Sequence, residues 1–388
     1  MKSEWKTIRA DEFCSLVTDG THDSPKPQAA GRKLITSKHL KGYYLDFESA
    51  NWISSEDYEK VIARSSVEQW DILYSMIGTI GNVYLEKNPV VDYACKNVGI
   101  FKFGGNCNKA YWMYYYLKSP QAMEFIKAHL RGTTQLYVPL ATLREMPVPV
   151  PDEEEMNKIV AILRTLDDKI QCSIKINDNL EQQAAALFSS LYNRSNNEVR
   201  YTDLIQILGG GTPKTGETAY WNGNIAFFTP KDVGTPYTFI TEKTITEEGL
   251  SHCNSRIYPV NTVFVTARGT VGKVGLSGVP MAMNQSCYAL VGKETHQLLV
   301  YFYTLKAVDR LKHKASGAVF DAITTRDFES EQIMKLSDDD AKAFLRVAEP
   351  MFQEILNNSI ENLRLSTLRD FLLPKLMSGE IDVSSIQL

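Results

Sequence analysis

The 388-residue chain lacks every spacing that marks a metal or redox centre. Its cysteines, Cys14, Cys95, Cys107, Cys172, Cys253 and Cys287, include no Cys-x-x-Cys pair, and its six histidines include no His-x-x-x-His pair. That speaks against zinc and thiol–disulfide chemistry, and the cysteines read as ordinary buried thiols. No apolar run approaches the ~20 residues of a bilayer span. The opening MKSEWKTIRADEF is charged where a signal peptide would be apolar. The expected setting is cytoplasmic, with no membrane partner.

Signatures of catalysis are missing as well. GGGTPKT, residues 209–215, has glycines, a lysine and a threonine in order, but Pro213 stands where a phosphate loop needs its second glycine. Proline brings no N–H and fixes φ, so it removes a donor at the crowded point of such a cradle. No Asn-Pro-Pro-Tyr methyltransferase motif occurs (NPVV at 88 is not one), nor a nuclease carboxylate cluster, nor a nucleophile–base spacing. No catalytic residue and no metal ligand is assigned.

What the chain does have is itself, twice. Residues 1–150 carry 18 Lys+Arg against 16 Asp+Glu, a net +2, and 151–199 carry 5 against 9, a net −4. Residues 200–337 carry 14 against 12, again +2, and 338–388 carry 5 against 9, again −4. The letters follow the charges. Gly20-Thr21 falls on Gly211-Thr212, and GTIGNV from Gly78 on GTVGKV from Gly269, both at an offset of 191. Thr36 and Lys38 meet Thr229 and Lys231 at 193, and Leu117-Lys118 meets Leu305-Lys306 at 188. Gly132, Leu143 and Val148 meet Gly317, Phe328 and Ile333 at 185. An ordered, slowly drifting offset signals tandem duplication with loop deletions, and its length makes each copy a whole domain plus an appendage.

The first part of each copy reads as mixed α/β. TVFVTARGTVGKVGL (262–276) reads as strands joined by a tight turn, and AYWMYYYLKSPQAMEFIKAHL (110–130) as a helix with an aromatic, core-lining face. The second part is a long helix, 152–193, that starts on acidic residues after PVPVP. Leu163, Ile170, Asn177, Ala184 and Leu191 recur every seven residues, as do Ile159, Leu166, Ser173, Leu180 and Leu187. All ten return 185 residues later, as Ala348, Ile355, Asn362, Arg369 and Leu376 and as Phe344, Met351, Asn358, Leu365 and Leu372. A stripe of this kind calls for a partner helix, and the simplest partner is its own copy, with Asn177 and Asn362 fixing register at a cost in stability. The other reading packs each helix on its own head. Antiparallel pairing would make a dumbbell with a pseudo-two-fold axis, its ~40–60 Å spacer exceeding one ~34–36 Å turn of B-DNA.

Together these blocks resemble the specificity subunit (HsdS) family of type I restriction-modification systems. The resemblance rests on GGGTPKTGETAYWNGNIAFFTPKDV (209–233), its degenerate partner DGTHDSPKPQAAGRKLITSKHL (19–40), the two GTxG turns and the matched helices. The first copy departs from the pattern, with Asp19 and His22-Asp23 against Gly210 and Pro213-Lys214. The resemblance implies target recognition domains at 1–150 and 197–336 and spacer helices at 151–196 and 337–388. It implies a non-catalytic subunit whose heads each read half of a bipartite, asymmetric site. Its partners would be double-stranded DNA, two modification subunits that methylate adenine N6, and two restriction (motor-nuclease) subunits. S-adenosylmethionine, ATP and magnesium would sit on those partners.

Within that frame Lys214, Thr212 or Thr215, Lys231 and Lys38 are candidates for phosphate contacts, which position a domain without reading sequence, and Thr21 and Lys273 are further DNA-binding candidates. For 209–215 a second reading stands beside the first: the glycines simply turn the chain. Arg268 is the candidate base reader, since arginine takes guanine O6 and N7 with two hydrogen bonds, and its counterpart is Ile77. Asn284-Gln285, opposite Lys96-Asn97, either read adenine or satisfy backbone. Arg310, Lys312 and Lys314 read as a solvated basic face. A coiled-coil scaffold that never touches DNA is the alternative, favoured by the low charge of the heads, and an enzyme acting alone is the remoter one.

Overall fold

The computed structural model describes residues 5–234, 236–314 and 322–386; Gly317 lies outside them. In chain order the first copy runs β1 (Lys6–Arg9), α1 (Ala10–Phe13), β2 (Leu16–Asp19), β3 (Arg32–Thr36), β4 (Asn51–Ile53), α2 (Ser55–Ser65), β5 (Ile72–Ser75), β6 (Val83–Leu85), β7 (Tyr93–Lys96) and β8 (Val98–Lys102). There follow α3 (Cys107–Leu117), α4 (Pro120–Ala128), α5 (Leu140–Glu145), β9 (Pro147–Val150) and α6 (Glu153–Arg194). The second copy runs β10 (Glu198–Arg200), α7 (Tyr201–Leu204), β11 (Ile205–Gly209), β12 (Trp221–Phe228), β13 (Tyr237–Thr238), β14 (Lys243–Ile245), α8 (Glu247–Ser251), β15 (Val263–Thr266), β16 (Val274–Ser277), β17 (Met281–Met283) and β18 (Cys287–Gly292). It ends with α9 (Gln297–Lys314), α10 (Thr325–Ser330), β19 (Gln332–Met334) and α11 (Asp338–Met377). The elements repeat in order, with β13 as an addition and α9 standing for α3 and α4. AYWMYYYLKSPQAMEFIKAHL is therefore two helices and not one. Pro120 cannot continue α3, and the Ser119 hydroxyl caps α4 by accepting from the Ala122 N–H. The aromatic residues of α3, Tyr111, Trp112 and Tyr114 to Tyr116, are all buried, whereas Phe125 on α4 is half-buried.

Contacts divide the chain into two compact units, Met1–Ile170 with Leu363–Leu388, and Gln171–Asn362. Unit 1 holds the sheets β2-β8-β5-β6 and β4-β3-β7 and the ribbon β1-β9; unit 2 holds β11-β18-β15-β16-β13, β14-β12-β17 and β10-β19. In both, one three-stranded sheet carries a parallel pair, Ile35 opposite Cys95 and Phe228 opposite Met283. This register corrects the letter match of the glycine loops by one residue. The Thr21 N–H bonds the Cys95 carbonyl at 2.9 Å, while the Gly211 N–H bonds the Met283 carbonyl at 3.1 Å. Thr21 thus occupies the place of Gly211, and Asp19, paired with Gly99, that of Gly209, paired with Tyr288.

Each unit contains antiparallel segments of both long helices. In unit 2 the Asn358 amide donates to Asn177 Oδ1 at 2.9 Å, and eleven residues on along α6, Phe188 meets Phe344 at 5.5 Å. In unit 1 Arg369 bonds Asp167 at 2.8 Å, and Lys158 bonds the Ser384 carbonyl at 3.0 Å. Of the first seven-residue stripe, Leu163, Ile170, Asn177, Ala184, Leu191, Ala348 and Ile355 are buried. The second stripe is mixed: Ile159, Ser173, Phe344 and Asn358 are buried, whereas Leu166, Leu180, Leu187, Leu365 and Leu372 are half-buried, as is Asn362. Asp167, Phe188, Phe352 and Leu373, one position further round, take up the burial. The reason is that within each unit both helix segments serve two surfaces, the partner helix and the head of that unit. Leu163 and Leu373 share one core with Tyr115 and Val148, and Phe188 and Phe352 share another with Phe302. The helices therefore pair with each other and pack on the heads as well, which overturns the reading that packs each helix only on its own head. Asn177 is tied to Asn358, its amide also reaching Ser359 Oγ at 3.3 Å, so the register lock pairs one stripe with the other.

Of the cysteines, Cys14, Cys95 and Cys287 are buried, but Cys172 on α6 is exposed. No helix among the described residues is long and apolar enough to cross a membrane.

Candidate nucleic-acid interface

In unit 2 four turns converge. The GTVG turn between β15 and β16 needs glycines at both ends, with φ of +82° at Gly269 and +75° at Gly272. Thr266 fastens it from below: its hydroxyl donates to the Thr270 carbonyl and accepts from the Lys273 N–H at 2.9 Å. The Thr270 hydroxyl reaches across to the Pro230 carbonyl at 3.1 Å, where Asp232 caps a turn by accepting from the Thr229 N–H at 2.7 Å. The Asn284 N–H bonds the Phe228 carbonyl at 3.0 Å, and the Thr212 hydroxyl donates to Gln285 Oε1.

Unit 1 repeats this scaffold with other letters. Gly78 and Gly81 have φ of +74° and +98°, Ser75 Oγ accepts from the Asn82 N–H at 2.7 Å, and Thr79 reaches the Ser37 carbonyl at 3.4 Å. His39 replaces Asp232 as the cap, accepting through Nδ1 from the Thr36 N–H at 2.9 Å. Burial, with the nearby Lys38 charge adding to it, holds the His39 pKa below the usual imidazole value, which favours the neutral ring this cap requires.

The candidate residues fall as follows. Lys231 and Arg268 are exposed and line one cleft of about 430 Å³ with Lys243, Asn284 and Glu242, and Lys231 pairs with Glu242 at 3.4 Å. Lys243, which also lies 5.5 Å over the Trp221 ring, carries no motif and was legible only from this cleft. Lys38 is exposed on the Ser37–His39 turn, and Lys273 is exposed beside Gly272. Lys214 is exposed, while its carbonyl accepts from Trp221 Nε1 at 3.1 Å. Thr212 is half-buried and Thr21 is buried, its hydroxyl accepting from the Asp23 N–H at 3.1 Å, so Thr21 shapes its loop from inside. Gly210 and Gly211 turn the chain under tight packing: a Cβ on Gly210 would lie 2.3 Å from the Asn284 carbonyl oxygen, and one on Gly211 2.5 Å from the Asn254 nitrogen. Asn284 Oδ1 accepts from the Ser286 N–H at 3.0 Å, the backbone role of the two readings.

Arg268 and Ile77 share a backbone role that their side chains hide. Each forms an isolated bridge, to Ala322 and Tyr137 respectively, so the frame is common and the projecting group is free to differ. Arg310 and Lys314 are structural, flanking the fully buried carboxylate of Glu331. Among the described residues no three or more His, Cys, Asp or Glu side chains gather as a metal site would require.

Two copies of one sheet-and-turn frame, carrying different polar groups at equivalent turns, define a duplicated recognition protein. Residues 2–182 and 193–335 match the family described as Type I restriction modification DNA specificity domain, and the chain belongs to that family. It is similar to the HindI specificity subunit of Haemophilus influenzae, 24% identical, with 82% of this chain and 88% of that one aligned. The MjaIX specificity subunit of Methanocaldococcus jannaschii is also 24% identical, over 91% and 87%. The crystal structure of the type I restriction-modification S subunit from M. genitalium has the same fold, with a TM-score of 0.58 at 15% identity over 96% of both chains. The protein therefore has a DNA-sequence-specificity role within a type I restriction-modification complex of DNA and further subunits, and supplies specificity, not catalysis. Family membership also decides against the free-standing scaffold that the nearly neutral heads left open.

Proposed function

We propose that each unit reads one half of a bipartite, asymmetric site through its converging turns, and that the paired helices set the gap between the halves. Two modification subunits, carrying S-adenosylmethionine, methylate adenine N6 at that site, and two restriction subunits, using ATP and magnesium, cleave DNA in response to it. The observation that carries the reading is the shared turn frame with unlike side chains, Arg268 against Ile77 and Lys231 beside Lys243 in one cleft. Lys38, Lys214, Lys231 and Lys273 hold phosphates, and Arg268 reads a guanine. Methylome sequencing of cells expressing the chain with its modification subunit tests this. A two-part adenine-methylated motif that disappears without the chain is expected, and methylation lacking a second half would overturn the reading. Arg268→Ala should relax one half only, by about 1–3 kcal/mol of discrimination.

A further inference from the structure

Unit 1 has a polar cluster built on Asp19, whose place in unit 2 is held by Gly209. Asp19, at the end of β2, is 3% exposed, yet both its oxygens are engaged by side chains that stay largely in solvent. Arg64 Nη2, from the last turn of α2, donates to Oδ1 at 2.7 Å, and His22 Nε2 lies 3.0 Å from Oδ2. The Arg64 and His22 side chains are 56% and 66% exposed. His22 Nδ1 in turn lies 2.8 Å from Asn97 Oδ1. Asn97 belongs to the converging turns, since its N–H bonds the Thr21 carbonyl at 3.1 Å and its carbonyl accepts from Ser37 Oγ at 3.0 Å, next to Lys38. In unit 2 the place of Asp19 is taken by Gly209, which carries no carboxylate, and α8 has five residues against eleven in α2.

Burying a carboxylate is costly unless its partners compensate, whereas an ordinary surface ion pair leaves both charges in water. Here the carboxylate alone is buried. Such an arrangement restrains an exposed guanidinium in one orientation while occupying only one of its five N–H donors. Guanine O6 and N7 ask for a pair of such donors from a restrained arginine.

We infer that Arg64 reads a guanine in the half-site of unit 1 and that Asp19 is its positioning residue. This rests on the half-site reading given above. The test uses the full chain in complex with its modification subunit, with Arg64→Ala, Arg64→Lys and Asp19→Asn, scored by methylome sequencing and by binding to duplexes altered one base at a time. Arg64→Ala should reduce discrimination at one guanine by about 10- to 100-fold. Asp19→Asn and Arg64→Lys should move the same position by less, with unchanged melting temperature, and the half altered by Arg268→Ala should stay intact. Retained discrimination in the variants, equal loss at both halves, or change in the half that Arg268→Ala alters would overturn the assignment. If the unsubstituted complex shows a two-part motif and these outcomes follow, only this inference falls; if it shows none, the half-site reading falls with it.

Discussion

In unit 1 the α6 residue that faces the head one turn beyond Leu163 is Asp167; in unit 2 the α11 residue 185 positions later is Phe352. Asp167 is 4% exposed and accepts from Arg369 at 2.8 Å and from the hydroxyls of Tyr43 and Tyr115 at 3.1 Å each. Arg369 also donates to Tyr43. Lys118 lies alongside, bonded to the Tyr114 hydroxyl at 2.9 Å and over the rings of Tyr43 and Tyr114. Phe352 instead packs on Tyr237, Tyr301 and Phe302, and the position of Arg369 is Ala184, with no exposed surface. One frame thus holds a hydrogen-bonded ion pair in one copy and an aromatic cluster in the other. The frame demands filled volume and satisfied groups, and is indifferent to which chemistry supplies them.

The largest break in that comparison is to remove half of the ion pair. Arg369→Ala should cost about 3–5 kcal/mol because Asp167 is left buried without its cation, while Asp167→Phe with Arg369→Ala, the unit 2 solution, should be nearly neutral or stabilising. Four of the five tryptophans, Trp5, Trp52, Trp70 and Trp112, lie in unit 1, so urea melts of the full chain followed by indole emission report chiefly on it.

Next comes a pH slope that only unit 1 should show. Burial lowers the Lys118 pKa from 10.5 to about 8, against the pull of Asp167. Between about pH 8 and 10 the unfolded chain binds more protons at this lysine than the folded one, so its contribution to stability rises with pH, by at most about 1.4 kcal/mol per unit. Tyr43, pushed up to about 12, acts in the opposite sense above pH 10. The buried thiols Cys14 and Cys95, raised by burial, also oppose the gain once unfolded thiols ionise. Lys118→Met should remove the rise, and the difference between its stability–pH curve and that of the parent cancels the thiols and Tyr43.

A smaller effect belongs to the helix register. Asn177→Ala leaves the Asn358 amide without its acceptor and should cost about 1–3 kcal/mol, read by chemical denaturation. Smallest is Lys231→Ala, which should weaken binding to specific and random duplexes alike and lower the salt slope by about 0.9. A change at one base position alone would instead make Lys231 a reader.

The duplication, the two heads and the paired helices were legible because strands, turns and seven-residue stripes leave a trace in residue letters. The one-residue slip at Gly20-Thr21 was not, since a repeated Gly-Thr matches by letter whereas the ladder counts hydrogen bonds. Arg369 stood in the stripe with the polar Asn177 and Asn362, but its partner Asp167, 202 residues away, came only from the fold. Arg64 and Lys243 had no such signal. Each gains its setting from residues 45 and 25 positions away, Asp19 and Arg268, that only the fold brings near.

Unit 2 is one uninterrupted stretch, Gln171–Asn362, whereas unit 1 is built from Met1–Ile170 and Leu363–Leu388. Val383 is fully buried in the unit 1 core, and Gly379 lies against Trp5. On a ribosome, which delivers the chain from its N-terminal end, the later unit has all its residues before the earlier one does. Asp167 waits through some two hundred further residues for Arg369. During synthesis unit 1 is therefore the long-lived unfinished form, with an unpaired carboxylate and an open core, and co-translational chaperones should dwell on it.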